Sequence, residues 1–100
     1  MKTTGEIIRQ KREEKKLLLR ELSAMLEIDP AILSKIERGE RNAKKEHIIK
    51  ISKILNIDKQ DLLVQYLSEK ILCNIKDEEY GLEALKAAEA RVKYESENKK

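Results

Sequence analysis

Ser34, Lys35 and Arg38 fall on the polar side of a short segment that opens at Asp29-Pro30 and closes at Gly39, and Arg41 follows it. Ammonium and guanidinium groups beside a small hydroxyl are hydrogen-bond donors with fixed positive charge. Such a set suits phosphate oxygens and the acceptor-rich edges of bases. Other chemistries find no comparable grouping. The one histidine, His47, has no Cys, Asp or second His at ligand spacing, so no metal is expected. Cys73 lies among Ile71, Leu72 and Ile75 and is expected to be a buried, inert thiol. Glycines at positions 5, 39 and 81 are too scattered for a phosphate cradle, and acid pairs such as Glu13-Glu14 and Glu78-Glu79 read as solvated helix faces. No catalytic residue, cofactor or enzyme activity is indicated.

The elements that must position the cationic set follow from caps and periodicity. Leu22, Met25 and Leu26 form the apolar stripe of one short helix, and Ile32, Leu33 and Ile36 that of the next. Asp29 is a suitable N-cap, Pro30 fits the first helical position, and Gly39 fits the left-handed position after the last turn. Helices this short are not stable alone, so the pair must pack on further elements. The pattern predicts six helices and no strand. The first starts after Thr4 and runs to about Lys15, the second spans Leu19 to Leu26 and the third Pro30 to Arg38. The fourth covers Lys45 to Leu55 and ends at Asn56. The fifth begins at Asp58, with Asp61 in the capping-box position, and keeps helical spacing through Leu62, Leu63, Tyr66, Leu67 and Ile71 to Ile75. Asp77 or Glu78 opens the sixth, and Glu95 to Lys100, without apolar content, is expected to be a disordered tail.

Charged residues make 41% of the chain and hydrophobic ones 40%, with no Trp or Phe, so the core must be built from Leu and Ile. No apolar run approaches membrane-spanning length, and a single cysteine excludes an internal disulfide; a cytoplasmic protein with no membrane partner is expected. Net charge is +3, and its distribution is more informative than its size. Residues 1–50 hold 13 Lys or Arg against 9 acids, whereas residues 51–100 hold 9 against 10. The half containing the capped helix pair is therefore the basic half, as expected of a nucleic-acid binder.

Residues 20–42, RELSAMLEIDPAILSKIERGERN, resemble the helix-turn-helix of the XRE family, the Cro and phage-repressor type of transcriptional regulator. The family pattern is met at Leu22-Ser23, at Ile28 and Asp29, and at Leu33, Ser34, Ile36, Glu37 and Gly39. Gly5, Ile8, Arg9 and Arg12 match its first helix, and Ile48, Ile51 and Leu55 its fourth. The chain departs from the pattern where Glu27 replaces a turn glycine, Leu18-Leu19 a capping serine and glutamine, and Ala43 a proline. The resemblance implies an all-α, lambda-repressor-like compact globule of four to five helices with one extra C-terminal helix. Residues 1–65 would form the DNA-binding domain and 66–94 a helical extension.

For the site, the resemblance implies base contacts from Pro30, Ala31 and Lys35; Ser34 is small enough to reach a base edge or a phosphate, or equally to bond back to its own helix. Lys35 would donate to guanine, while Pro30 and Ala31 offer only apolar surface, most naturally to a thymine methyl. Backbone contacts are implied for Arg20, Arg38, Arg41, Asn42, Lys44 and Lys45, with backbone amides at the start of the second helix as further phosphate ligands. Arg12 and Glu37 are implied as a structural ion pair. Leu82, Leu85, Ala88 and Val92 form an apolar set outside the family pattern and are expected to support a homodimer. The implied partner is double-stranded DNA and the implied function a repressor or autoregulator. An antitoxin-type module that neutralises a protein partner through its last helices is the alternative.

Overall fold

A computed structural model describes residues 2–98, which form six helices in the order α1 (Thr4–Glu14), α2 (Leu19–Leu26), α3 (Pro30–Glu37), α4 (Lys45–Ile54), α5 (Lys59–Ile75) and α6 (Gly81–Asn98). Lys99 and Lys100, the end of the expected tail, lie outside the described residues. The chain divides into two compact units between Glu69 and Lys70.

In the first unit, Ile8, Leu22, Leu26, Leu33, Ile48, Ile51, Leu55 and Leu62 are almost wholly buried and build one core from five helices. Helix α3 packs on both α1 and α2. Thr3, one residue earlier than expected, caps α1: its hydroxyl accepts the Glu6 N–H at 3.1 Å, and the Glu6 carboxylate accepts the Thr3 N–H at 3.2 Å. The bond from the Thr3 amide holds the Glu6 carboxyl below the usual carboxylate range. A depressed acid stabilises the fold above its unfolded-state pKa, and that contribution is lost as pH falls through the folded one. Thr4 is thereby free to enter the interior. Its N–H donates to Glu69 at 2.6 Å, and Gln65 donates to both Glu69 and the Lys2 carbonyl, fastening the start of α1 to α5.

Three turns are made by non-glycine residues in the left-handed region: Lys16 and Glu27 at φ 57° and Asn56 at φ 55°. Gly39 takes the same region at φ 78° after α3. At Glu27 the backbone closes α2 through bonds from the Glu27 N–H to Ala24 O and from the Ile28 N–H to Ser23 O. Met25, expected in the core stripe, is instead 49% exposed, because Leu22, Ser23 and Leu26 supply the buried side of that helix.

In the second unit residues 76–80 connect α5 to α6 through turns. The Glu78 N–H reaches Ile75 O and the Gly81 N–H reaches Glu78 O, both at 3.1 Å. A Cβ on Gly81 would lie 2.5 Å from the Ile75 carbonyl oxygen. The helix therefore begins at the residue that tolerates this approach, later than the expected start at Asp77 or Glu78. It also continues through Glu95 to Asn98, where disorder was expected. Pairs Glu89–Lys93 and Arg91–Glu95 and the Asn98 side-chain bond to Tyr94 O supply spacing-matched support that polarity alone does not reveal. Cys73 is exposed, not buried as its apolar neighbours imply. Ile71 and Leu72 beside it are also about half exposed, so this stretch of α5 does not form a core around the thiol.

Glu27→Gly is expected to raise stability by about 1 kcal/mol, since a side chain in the left-handed region costs roughly 1–2 kcal/mol and glycine gives part of that back through its unfolded-state entropy. Urea unfolding of the two proteins checks it. An unchanged or lower midpoint would show that the Glu27 side chain compensates its own backbone.

Candidate nucleic-acid interface

The surface that holds the cationic set is built on a buried ion pair. Arg12 on α1 donates through Nε to Glu37 Oε2 at 2.9 Å and through Nη2 to Oε1 at 3.0 Å, a two-pronged contact with the last residue of α3. A third bond, from Nη1 to the Leu17 carbonyl at 2.8 Å, ties in the connection to α2. The side chains are only 11% and 4% exposed. The Glu37 carboxylate raises the already high pKa of the guanidinium, and no proton is exchanged near neutral pH. Gly5 lets α1 approach this end of α3, since a Cβ there would collide with the carbonyl groups of Ile36 and Glu37.

With Leu33, Ile36 and Glu37 turned inward, the outward side of α3 consists of Pro30, Ala31 and Lys35, all exposed, with Ser34 half-buried. Asp29 caps the helix by accepting the Ala31 N–H on Oδ1 at 2.7 Å. Beyond the helix, Arg38, Arg41, Asn42 and Lys44 are exposed on the connection to α4, and Lys45 on its first turn. Arg38 is partly engaged at home, with Nη1 3.5 Å from Glu40. Arg20 is exposed in the first turn of α2.

The start of α2 differs from expectation. The Leu18 N–H is taken by the Glu21 carboxylate at 2.7 Å, so that amide is not free for a phosphate and the position carries negative charge. Leu18 cannot return the bond, and its side chain is 48% exposed. The Leu19 and Arg20 amides, one and two residues on, keep the expected means to meet an anion, and the exposed Arg20 side chain joins them in this region.

Tyr66 is the positioning residue that sequence reasoning overlooked, treating it only as an apolar position on α5. Its hydroxyl donates to the Ala43 carbonyl at 2.6 Å in a buried setting. Ala43 is itself buried, so the connection bearing Arg41, Asn42 and Lys44 is pinned at its centre from α5. No spacing rule links residues 43 and 66. The available signal was a lone tyrosine among aliphatic core positions, whose hydroxyl must find a partner when buried.

A helix-turn-helix family model matches residues 8–62, over half of the chain and a span that includes the Arg12–Glu37 pair and all of α3. The chain belongs to the XRE-type helix-turn-helix family. No curated protein and no solved structure matches it. As a member it is a DNA-binding helix-turn-helix regulator, in a family that is generally non-enzymatic. Among the described residues no helix is long and apolar enough to cross a membrane.

The C-terminal set lies on α6, with Leu82 at 59%, Leu85 at 38% and Val92 at 67% exposure and Ala88 exposed beside them.

Arg12→Met is expected to lower folding stability by about 3–5 kcal/mol, because it strands a buried carboxylate. Replacing both partners, Arg12→Met with Glu37→Met, is expected to recover much of that loss. Thermal and urea unfolding of the single and double variants checks both. Equal destabilisation by the two would mean that the pair is not the brace.

Proposed function

We propose that the protein is a homodimeric, sequence-specific repressor or autoregulator of transcription, acting in the cytoplasm. It reads double-stranded DNA by laying α3 in the major groove. The observation that carries this reading is Lys35, an exposed cation midway along the outward side of α3, which is braced from behind by Arg12 and Glu37. From there the ammonium reaches guanine O6 and N7. Arg20, Arg38, Arg41, Asn42, Lys44 and Lys45 follow the phosphates and contribute affinity without sequence information. Ser34 meets a phosphate or a base edge from its half-buried place. The unit that runs to Glu69, four residues beyond the expected boundary and so including Tyr66, constitutes the DNA-binding domain, and the helical extension after it serves the assembly.

The dimer reading rests on the apolar side chains that α6 leaves exposed. Leu82, Leu85 and Val92, with Ala88 allowing close approach, fit the same surface of a second copy better than they fit water. Two copies also supply two α3 helices for successive major grooves, ~34 Å apart. The same exposed set supports the alternative in which α6 captures a different protein, as an antitoxin does its toxin.

Lys35→Ala is expected to weaken binding to a selected duplex by about 1–3 kcal/mol and to relax preference at one base pair. Titration of selected and random duplexes checks this; an equal loss on both would assign Lys35 to phosphate.

Removal of residues 77–100 is expected to leave a folded, helical protein that dimerises more weakly and loses affinity for its site. Sedimentation and circular dichroism check it. A truncated protein as tightly dimeric as the full chain would place the interface outside α6.

A further inference from the structure

We infer that the leading end of α3 recognises the C5-methyl group of a pyrimidine, whichever base carries it, so that binding responds to cytosine methylation. This rests on α3 being the helix that enters the major groove. Pro30 has no N–H. The Ala31 N–H is held by Asp29 Oδ1 at 2.7 Å, and those of Ile32 and Leu33 by the Asp29 carbonyl at 3.0 and 3.1 Å. The first turn of α3 thus has no backbone donor left for a base edge or a phosphate.

Its exposed side chains, Pro30 and Ala31, are hydrocarbon, and the first side-chain nitrogen along the helix is that of Lys35. The major-groove edges of bases offer acceptors, amino donors and one apolar group, the C5-methyl. Covering an acceptor with hydrocarbon removes its water and returns nothing, whereas covering the methyl is favourable. The Asp29 charge at the same end adds repulsion toward base acceptors. Asp29 Oδ2, which has no hydrogen-bond partner among the described residues, is able to accept from an amino group. Thymine carries the methyl beside an acceptor, and 5-methylcytosine carries it beside the N4 amino donor. Both sources satisfy Ala31 and Pro30, and only the second also suits Asp29.

The experiment uses the full-length protein and a duplex selected by it from a random pool. At each pyrimidine position of that duplex, affinity is measured with thymine and uracil, which differ only in the methyl, and with 5-methylcytosine and cytosine. Loss of the methyl is expected to weaken binding about three- to fivefold at one or more positions, the size expected for one apolar carbon. A preference for 5-methylcytosine over cytosine supports the inference, whereas an effect confined to the thymine–uracil arm overturns the response to cytosine methylation. Ala31→Gly is expected to bring the ratio toward one. Because the ratio is taken within one protein, partial unfolding of the variant cancels. Indifference to the methyl in both arms at every position overturns the inference, as does a ratio untouched by Ala31→Gly. If the pool yields no enriched duplex, the reading of α3 as a groove-entering helix fails instead.

Discussion

The contact between the Arg12 guanidinium and the Glu37 carboxylate fixes what the rest of the first unit can be. Two parallel hydrogen bonds set both distance and angle between α1 and the end of α3, and the third bond to Leu17 draws the intervening connection into the same arrangement. A single charge in this location would be very unfavourable, so neither residue can change alone. The pair also decides the electrostatics of α3. Its acidic residue is neutralised inside, and Lys35 is left to set the sign of the outward side.

Polarity is graded along that helix and the connection after it. The leading end is hydrocarbon with a capping carboxylate, the middle carries one ammonium, and the trailing end passes into a connection with two arginines and a lysine. Rigidity follows the same order. Asp29 organises the first turn, the ion pair holds the last, and Tyr66 fixes the connection from a different helix. Groups proposed to distinguish bases thus stand on regular helix, while Arg38, Arg41, Asn42 and Lys44, proposed to follow phosphates, stand on a tethered segment.

Much of this was legible in the sequence because it depends on local rules. Asp29, Pro30 and Gly39 mark the bounds of α3 through capping chemistry, and Ile48, Ile51 and Leu55 mark the core side of α4 through periodicity. What escaped depends on contacts between distant residues. Thr3 caps α1 in place of Thr4, and the Thr4 amide is taken up by Glu69, 65 positions away. Gly81 starts α6 because of the Ile75 carbonyl, and Tyr66 acts through a carbonyl 23 positions upstream. Periodicity on α5 predicts a stripe equally well on either side of Glu69, but it does not report that the stripe is covered only in its first part. Cys73 was misplaced for that reason. The proposed DNA contacts were read from residue type and helix position, and exposure is what the structure adds to them.

The Tyr66 bond has an optical consequence. Without Trp or Phe, all near-ultraviolet absorption by aromatic side chains comes from three tyrosines. Tyr80 and Tyr94 are 69% and 68% exposed, whereas Tyr66 is 5% exposed with its phenol oxygen anchored at Ala43. Near-ultraviolet dichroism, which needs an asymmetric and fixed ring, therefore originates chiefly from Tyr66. The protein carries an intrinsic chromophore at the root of its basic connection, and ordering of that connection is open to spectroscopy without any label.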